Sequence, residues 1–192
     1  MNAILARDII RKKIFLPESV DISIAMEKKH KGETVVLIPV IRAVDEKSIE
    51  EISSEIKHLS QLPFDEMPNI KLTKLFNIDP DFLKYLKLKL ICQSAYLYNF
   101  FFGSIGSTNL GKYGITHFYP HWINATVFAI GTIEEKPVVR DGQITIAPML
   151  HMNLTFNHRI LDGTTASEIL AEAKNTVEDN NFYELIGKDC KK

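Results

Sequence analysis

Residues 150–165 constrain the fold of this chain more strongly than any other stretch. Apolar and polar side chains alternate from Leu150 to Asn157, and this period of two predicts a half-buried β-strand. His158 continues the apolar parity, and a turn at Asp162-Gly163 and then a helix are predicted to follow. The pattern therefore predicts an imidazole on the inward face at the end of a strand, in a cleft beside a helix start.

The chemistry of His158 has two interpretations at this point. Histidine has an unperturbed pKa near 6.5, so a general base held in a cleft is one of them. A histidine beside a turn is also often a hydrogen-bonded structural residue. The residue alone does not separate the two.

Length and composition narrow the class of protein. The chain has 192 residues, 45% of them hydrophobic and 24% charged, so we expect one globular domain over 1–192. Its net charge of −1 lacks the basic surplus that usually accompanies nucleic-acid binding. Small molecules or other proteins are the expected partners, and nucleic acid is not.

Cysteine, histidine and hydropathy patterns exclude further classes. Cys92 and Cys190 lack a CxxC or ligand spacing, and the six histidines are scattered, so no metal site is predicted. The N-terminus shows no secretory signal pattern, and no run of about 18 apolar residues occurs. These patterns predict a cytoplasmic protein that is neither secreted by that route nor integral to a membrane.

The first 41 residues predict one helix and two strands. Residues 1–16 mix isoleucines with basic side chains and are interpreted as a short helix. The β-rich runs 20–26 and 35–41 flank a charged, glycine-bearing turn, so they are predicted to pair. Pro39 is compatible only with a sheet edge or a strand end.

A second helix has a complete start signal. Ser48-Ile49-Glu50-Glu51 is a capping box, and Pro63 marks the stop. Apolar residues recur between them at helical spacing: Ile49, Ile52, Ile56 and Leu59.

The segment 62–102 allows two interpretations. Asp79-Pro80 predicts a helix start, with Asp as the cap and Pro in the first turn, and aromatic residues crowd the chain from Tyr96 to Phe102. The helix is either part of the core or a subunit interface, or a basic amphipathic helix on a membrane surface. Its apolar positions are Phe82, Leu83, Leu86, Leu90 and Ile91, set against Lys84, Lys87 and Lys89.

The C-terminal half predicts strands and a last helix. Residues 125–131 form a buried strand, and 136–146 form a hairpin because Asp141-Gly142 suits a type I′ turn. The helix after Gly163 runs to about Val177 with Asp162 as its cap, and the polar tail 187–192 is expected to fray.

Three ordered stretches resemble one enzyme family. His158-Arg159-Ile160-Leu161-Asp162-Gly163 fits HxxxDG, the active-site signature of the 2-oxo acid dehydrogenase acyltransferases (the E2 components, such as dihydrolipoamide acetyltransferase), which chloramphenicol acetyltransferases share. Residues 20–25 and 38–48 resemble that family's strand, its second strand close to VPVIR, and its helix start near KS. Residues 103–114 align without a gap with a family stretch close to GTFTISNLGMFG.

The resemblance implies an α/β fold, an α+β two-layer sandwich in which a mixed β-sheet is flanked by helices, as in chloramphenicol acetyltransferase. It covers about residues 20–180, is strongest over 20–60 and 103–180, and leaves 62–102 as a divergent helical insert. It also implies a free-standing, N-terminally short catalytic domain, which is either a compact or truncated variant or one whose missing segment a partner chain supplies.

The resemblance further implies an acyltransferase that moves an acyl group between a thioester, acyl-CoA or acyl-lipoamide, and a thiol or hydroxyl acceptor. His158 corresponds to the general base, Thr108 to the hydroxyl that binds the oxyanion, and Asp162 to a mainly structural residue. Ser107 and Asn109 would contact the substrate. Coenzyme A or lipoamide is then a substrate and no cofactor is bound covalently. A homotrimer or a higher oligomer is expected, because the family's base and hydroxyl come from neighbouring subunits of a trimer.

Several positions depart from the family pattern. Asn157 replaces the Asp of the lipoyl-linked enzymes, Thr108 replaces the commoner Ser, and residues 121–124 replace an NPPQ-like turn. The alternative function is a non-catalytic trimeric scaffold or assembly subunit, including a membrane-peripheral one. Intact His158, Asp162 and Thr108 favour the enzyme.

Overall fold

A computed structural model describes residues 6–8, 13–71, 80–121 and 124–179 of the chain. The strands are β1 Ala6–Asp8, β2 Lys13–Phe15, β3 Ile22–Ile24, β4 Met26–His30, β5 Glu33–Leu37, β6 Val40–Ile41, β7 Ile105–Asn109, β8 Thr126–Arg140 and β9 Gln143–Phe156. The α-helices are α1 Ile49–Gln61, α2 Asp81–Gln93, α3 Ala95–Phe102 and α4 Gly163–Glu178.

A five-stranded mixed sheet organises the fold. Its strand order is β6-β3-β7-β8-β9, in which β7 runs parallel to both of its neighbours and the two outer pairs are antiparallel. The predicted mixed sheet flanked by helices is therefore confirmed.

The register of the strands assigns side chains to the two faces of this sheet. Thr108 lies opposite Ala129, which lies opposite Asn153, so these three side chains share one face, called here the Thr108 face. Ile24 and Ile41 lie on the other face. Helix α1 covers that second face, because Leu59 packs in a buried cluster with Ile41.

Helix α1 has the start that its sequence predicts. The Ser48 hydroxyl accepts from the Glu51 N–H, and the Glu51 carboxylate accepts from the Ser48 N–H, so the capping box is complete. The other end of α1 is closed by buried Lys28 of β4. Its ammonium donates to three carbonyls, at 2.8 Å from Leu59 O, 2.6 Å from Ser60 O and 2.8 Å from Leu62 O.

The helix predicted for residues 1–16 is wrong where the structure describes them. Strands β1 and β2 pair as an antiparallel hairpin, with Ala6 opposite Phe15. Isoleucine is β-branched and favours strands, and pairing with a second strand satisfies the backbone without a helix. The ring of Phe15 meets Tyr96 of α3 edge-on, with centroids 6.3 Å apart.

The pairing predicted between 20–26 and 35–41 is confirmed with a tighter turn. The charged stretch between them is itself strand, and only Lys31 and Gly32 turn, with φ of 50° and 85°. Two pairs result, β4 with β5 and β3 with β6. Pro39 is fully buried and lies in the break between β5 and β6. This is a strand end, which is one of the positions that proline tolerates in a sheet.

Strands β8 and β9 merge three predicted elements into one long hairpin. Asp141 and Gly142 form its turn with φ of 52° and 75°, which confirms the type I′ prediction. The register is interrupted once, between Ile130 and Ile133. Beyond that irregularity the hairpin leaves the sheet as a two-stranded ribbon with apolar side chains exposed on one face, among them Val139 and Ile144.

The segment 62–102 is helical where it is described. Helix α2 begins at Asp81 after Pro80, while the predicted cap Asp79 lies outside the described residues. Most apolar side chains of α2 point to solvent, so its outer face is not part of the core of this chain. Helix α3 has Ser94 as its N-cap and Gly103 as its C-cap.

Buried Asp21 connects this segment to the sheet. Its carboxylate accepts from Arg42 Nη1 at 2.6 Å and from the Ala43 N–H at 2.9 Å, and Asn99 Nδ2 of α3 lies at 3.5 Å. Its carbonyl accepts from the Ser104 N–H at 2.7 Å, and its own N–H donates to the Ser104 hydroxyl at 3.2 Å. One residue therefore holds the start of β3, the exit of β6, α3 and the start of β7.

We expect Asp21→Ala to lower the free energy of unfolding by about 2–3 kcal/mol, because it removes the buried carboxylate that accepts from Arg42 and from the partly buried Ala43 N–H. Asp45→Ala is the matched control: among the described residues, exposed Asp45 accepts only from the Val20 N–H, so its loss should cost about 0.5–1 kcal/mol. Urea unfolding followed by circular dichroism measures both. If both variants lose the same free energy of unfolding, the hydrogen bonds of Asp21 stabilise the fold no more than the single one of Asp45.

Candidate active site

His158 lies in the turn between β9 and α4. Strand β9 ends at Phe156, and the turn is closed by N–H groups of Ile160 and Leu161 that donate to Asn157 O. Contrary to the inward position predicted from parity, the His158 side chain is exposed, because the chain leaves the sheet two residues before it. Its ring contacts Phe156, with centroids 5.4 Å apart, and its nitrogens bond no other described residue.

Asp162 caps helix α4, which confirms the cap predicted at this position. Its Oδ1 accepts from the Thr165 N–H at 2.7 Å. That hydrogen bond, then one from the Thr165 side chain, and to a smaller extent the nearby charge of His158, lower the pKa of the Asp162 carboxyl. The turn that carries His158 is thus fixed at its far end by a helix cap.

Asn157 fixes the near end of the same turn. Its side-chain oxygen accepts from the Arg159 N–H at 3.0 Å, and its own N–H donates to Ala125 O at 2.8 Å. Asn157 therefore takes a structural position beside His158. An aspartate carboxylate at this position offers the same acceptor oxygen.

Thr108 is buried near the end of β7. The side chain is 7% exposed, and its hydroxyl forms no hydrogen bond to any other residue in the described parts of the chain. A threonine hydroxyl in a strand can donate one hydrogen bond. Thr108 therefore presents an unused donor on the Thr108 face of the sheet.

Ser107 and Asn109 do not share that face. Side chains alternate along a strand, so both lie on the face opposite to Thr108. The Asn109 side-chain oxygen accepts from the Gly111 N–H at 2.7 Å, which closes the turn after β7. The structure brings neither residue beside the Thr108 hydroxyl, so their predicted contact with substrate stays a prediction.

Thr108 and His158 are apart within one chain. Strand β9 ends three residues beyond the row that joins Thr108, Ala129 and Asn153, and it lies two strands away from β7. Phe156 at that end is on the opposite face from Thr108, about 10 Å along the strands and about 10 Å across them. His158 lies two residues further on.

The connection 115–121 covers the Thr108 face beside Asn153. The Asn153 Nδ2 group donates to Phe118 O at 3.1 Å, and the Thr132 N–H donates to Ile115 O at 2.9 Å. Gly131 permits this close approach, since a Cβ there would lie 2.1 Å from Thr116 O. A larger residue at 131 would push the connection off the sheet.

A cluster of titratable side chains under this connection was not found from the sequence. The rings of His117 and His151 lie 4.0 Å apart, and Lys136 Nζ is 3.1 Å from His151 Nε2. Glu134 accepts from the Thr116 hydroxyl and pairs with Lys136 at 2.8 Å. The two histidines are distant in sequence, so no motif spacing indicates that they meet.

This cluster favours a neutral His151. Desolvation, then the neighbouring His117 and Lys136, lower the pKa of His151, while Glu134 opposes them. A lysine that donates to Nε2 also needs an unprotonated nitrogen there. Among the described residues no group of three or more His, Cys, Asp or Glu could hold a metal ion.

Comparison with known proteins identifies the family. The profile described as 2-oxoacid dehydrogenases acyltransferase (catalytic domain) matches residues 1–66 and 102–185, which include Thr108 and His158. The chain belongs to this family. A relative from Bacillus subtilis, the dihydrolipoyllysine-residue acetyltransferase component of pyruvate dehydrogenase complex, is 31% identical over 149 residues. The match covers 77% of this chain but only 28% of the relative. The present chain therefore corresponds to less than a third of the relative's length.

Solved structures share the fold. The cubic core of the pyruvate dehydrogenase multienzyme complex superimposes with a TM-score of 0.65 at 18% identity, over 96% of this chain and 63% of that one. The dihydrolipoamide acetyltransferase of Azotobacter vinelandii has the same TM-score at 19% identity and the same coverage. In that enzyme, a serine, a histidine and an asparagine have been investigated for their role in the catalytic mechanism.

We expect the chain to lose thermal stability as the pH falls below about 6.5, in part because His151 resists a proton that it accepts when unfolded. A histidine with a lowered folded-state pKa contributes stability above its unfolded pKa and loses it as the pH falls toward the folded value. His151→Gln should therefore flatten the dependence of melting temperature on pH between about 7.5 and 5.5.

His58→Gln is the control for this measurement, because His58 is an exposed residue of α1. It should keep the wild-type slope. If melting temperature depends on pH equally in wild type and in His151→Gln, then His151 does not contribute to the pH dependence of stability.

Proposed function

We propose that this chain transfers an acyl group between a thioester, acyl-CoA or acyl-lipoamide, and a thiol or hydroxyl acceptor. One observation carries the proposal: the family match includes both Thr108, a buried residue whose hydroxyl forms no hydrogen bond within the described chain, and His158, an exposed residue whose imidazole has no hydrogen-bond partner among the described residues. A base and an oxyanion donor are the two groups that such a transfer needs.

His158 is proposed as the general base. A thiol with a pKa near 8.5 is mostly protonated at neutral pH, so an imidazole within hydrogen-bond reach takes its proton as the sulfur attacks the thioester carbonyl. The sulfur–carbon bond of the donor then breaks, and the imidazolium returns the proton to the departing thiolate. Asn157 and Asp162 position this histidine through the two ends of its turn.

Thr108 is proposed as the oxyanion donor. The carbonyl oxygen of the thioester gains negative charge in the tetrahedral intermediate, and a hydroxyl placed in a buried site stabilises that charge more than water does. Removing one such donor typically costs about 3 kcal/mol of transition-state stabilisation. Because nothing else in the described chain occupies this hydroxyl, it is free to make that bond.

The separation of the two residues supports a site formed by two subunits. Within one chain, Thr108 lies on β7 and His158 follows β9, two strands away. The last residue of β9, Phe156, lies on the face of the sheet opposite to Thr108. A homotrimer in which His158 of one subunit meets Thr108 of the next would bring them together. The structural relative from a cubic core is itself part of a closed assembly. In the Azotobacter enzyme the investigated histidine precedes the asparagine by four residues, which is the spacing of His158 and Asp162.

We expect His158→Ala to lower acyl transfer by about 10²–10⁴-fold, because the reaction loses its base. The measurement is thiol release from a panel of acyl-CoAs, with dihydrolipoamide, alcohols and amines as acceptors. His58→Ala, a substitution of an exposed helical histidine, should keep wild-type activity.

The outcome of this assay decides between the two functions. Release that persists in His158→Ala would exclude His158 as the base. No release and no coenzyme A binding by a folded oligomer would favour the non-catalytic trimeric scaffold.

We expect two inactive variants to complement each other. In co-refolded trimers of His158→Ala and Thr108→Val, about a quarter of the interfaces would pair an intact Thr108 with an intact His158, so about a quarter of wild-type activity should return. Trimers refolded from the double variant His158→Ala/Thr108→Val alone should stay inactive. No recovery in verified mixed trimers would place both residues in one subunit.

A further inference from the structure

Helix α2 directs its apolar side away from the rest of the chain. Its five outward residues are between 50% and 76% exposed, and they define the apolar face of α2: Phe82, Tyr85, Leu86, Leu88 and Leu90. Exposed Tyr96 and Phe100 continue the apolar surface onto α3. Five large apolar side chains of one helix are thus exposed, whereas single exposed apolar residues are ordinary.

The side of α2 that faces the protein is the more polar one. Ile91 is buried there, but Lys84 and Lys87 are half-buried on the same side, and Lys84 pairs with Asp81 at 3.1 Å. A surface helix of a globular protein normally does the reverse and buries its apolar stripe. The apolar face of α2 therefore needs an apolar environment that this chain does not supply.

Charge is unevenly distributed between this segment and the rest. Residues 67–101, which the family match leaves out, contain five lysines and two aspartates, a net charge of +3. Since the whole chain carries −1, the remainder carries −4. The apolar face of α2 is thus displayed by a basic segment of a protein whose remaining residues carry a net negative charge.

The dimensions of α2 suit the surface of a bilayer. Its 13 residues span about 20 Å, less than the hydrocarbon thickness of about 30 Å. None of the helices in the described parts of the chain is long and apolar enough to cross a membrane. A short helix with leucine and aromatic residues on one face and lysines around them lies in the interfacial plane.

A second copy of the chain is a poorer occupant of this face. Two α2 helices packed face to face would bring the two Lys89 side chains together, because exposed Lys89 lies four residues after Tyr85 and three after Leu86, on the same face of the helix. Anionic headgroups neutralise this lysine, and each lysine near such a surface adds about 1 kcal/mol of attraction.

We propose that α2 binds the surface of a membrane that contains anionic lipids, with its apolar face among the headgroups and upper acyl chains. Exposed Lys89 contacts the lipid phosphates, and the positive charge of the surrounding segment adds longer-range attraction. This peripheral attachment is independent of the acyl-transfer site, whose residues lie on β7 and in the turn before α4.

Co-sedimentation of the full chain with phospholipid vesicles tests this. Vesicles of phosphatidylcholine containing about 30% phosphatidylglycerol should bind the protein, and vesicles of phosphatidylcholine alone should bind it at least about tenfold more weakly. Phe82→Ser/Leu86→Ser should lower binding to the anionic vesicles by about tenfold or more. Val139→Ser/Ile144→Ser, at equally exposed apolar positions of the ribbon, is the matched control and should bind like wild type.

A charge variant and a lipid-free measurement complete the test. Lys84→Gln/Lys87→Gln/Lys89→Gln keeps the apolar face and should lose the preference for anionic vesicles; circular dichroism checks that each variant is folded. The proposal fails if the anionic vesicles do not bind wild type, if either α2 variant binds as wild type does, or if the ribbon control weakens equally. It also fails if sedimentation velocity without lipid shows that wild type self-associates and Phe82→Ser/Leu86→Ser does not, because a second copy then covers the face.

Discussion

The buried carboxylate of Asp21 is the interaction on which the arrangement of this protein depends. It and its backbone hold Arg42, Ala43, Asn99 and Ser104, which come from separate parts of the chain. The consequence is that α3, at the end of the segment that the family match leaves out, is attached to the start of β7. Since β7 carries Thr108 four residues after Ser104, the placement of the proposed oxyanion donor depends on a contact made outside the active site.

Short-range patterns in the sequence predicted much of the fold because their causes are local. The capping box at Ser48, the φ > 0 turn at Asp141-Gly142 and the cap at Asp162 each depend on residues within a few positions. The resemblance supplied the mixed sheet and both ends of the proposed site. Local patterns do not fix register, so the sequence could not show that Thr108 shares a row and a face with Asn153, two strands away.

The errors have physical causes of the same kind. Isoleucines and basic residues at positions 1–16 fit a helix or a hairpin, and pairing of β1 with β2 decides between them. Parity placed His158 inward, but parity ends where the strand does, at Phe156. Helical spacing indicates which residues of α2 share a face, yet it does not indicate whether that face points to the core or to solvent. The approach of His117 to His151 depends on how the connection 115–121 crosses the sheet, which no local pattern encodes.

Lys28 gives α1 an unusual dependence on the rest of the chain. Helix ends are commonly closed by a residue next to them, but here an ammonium on a strand about 30 positions earlier satisfies three carbonyls at once. The last turn of α1 therefore has its acceptors satisfied only after the β4–β5 hairpin has docked. The N-terminus of α1 is thus capped by neighbouring residues, whereas its C-terminal turn is stabilised by a residue of the hairpin. The hairpin and that turn should therefore fold and unfold as one cooperative unit.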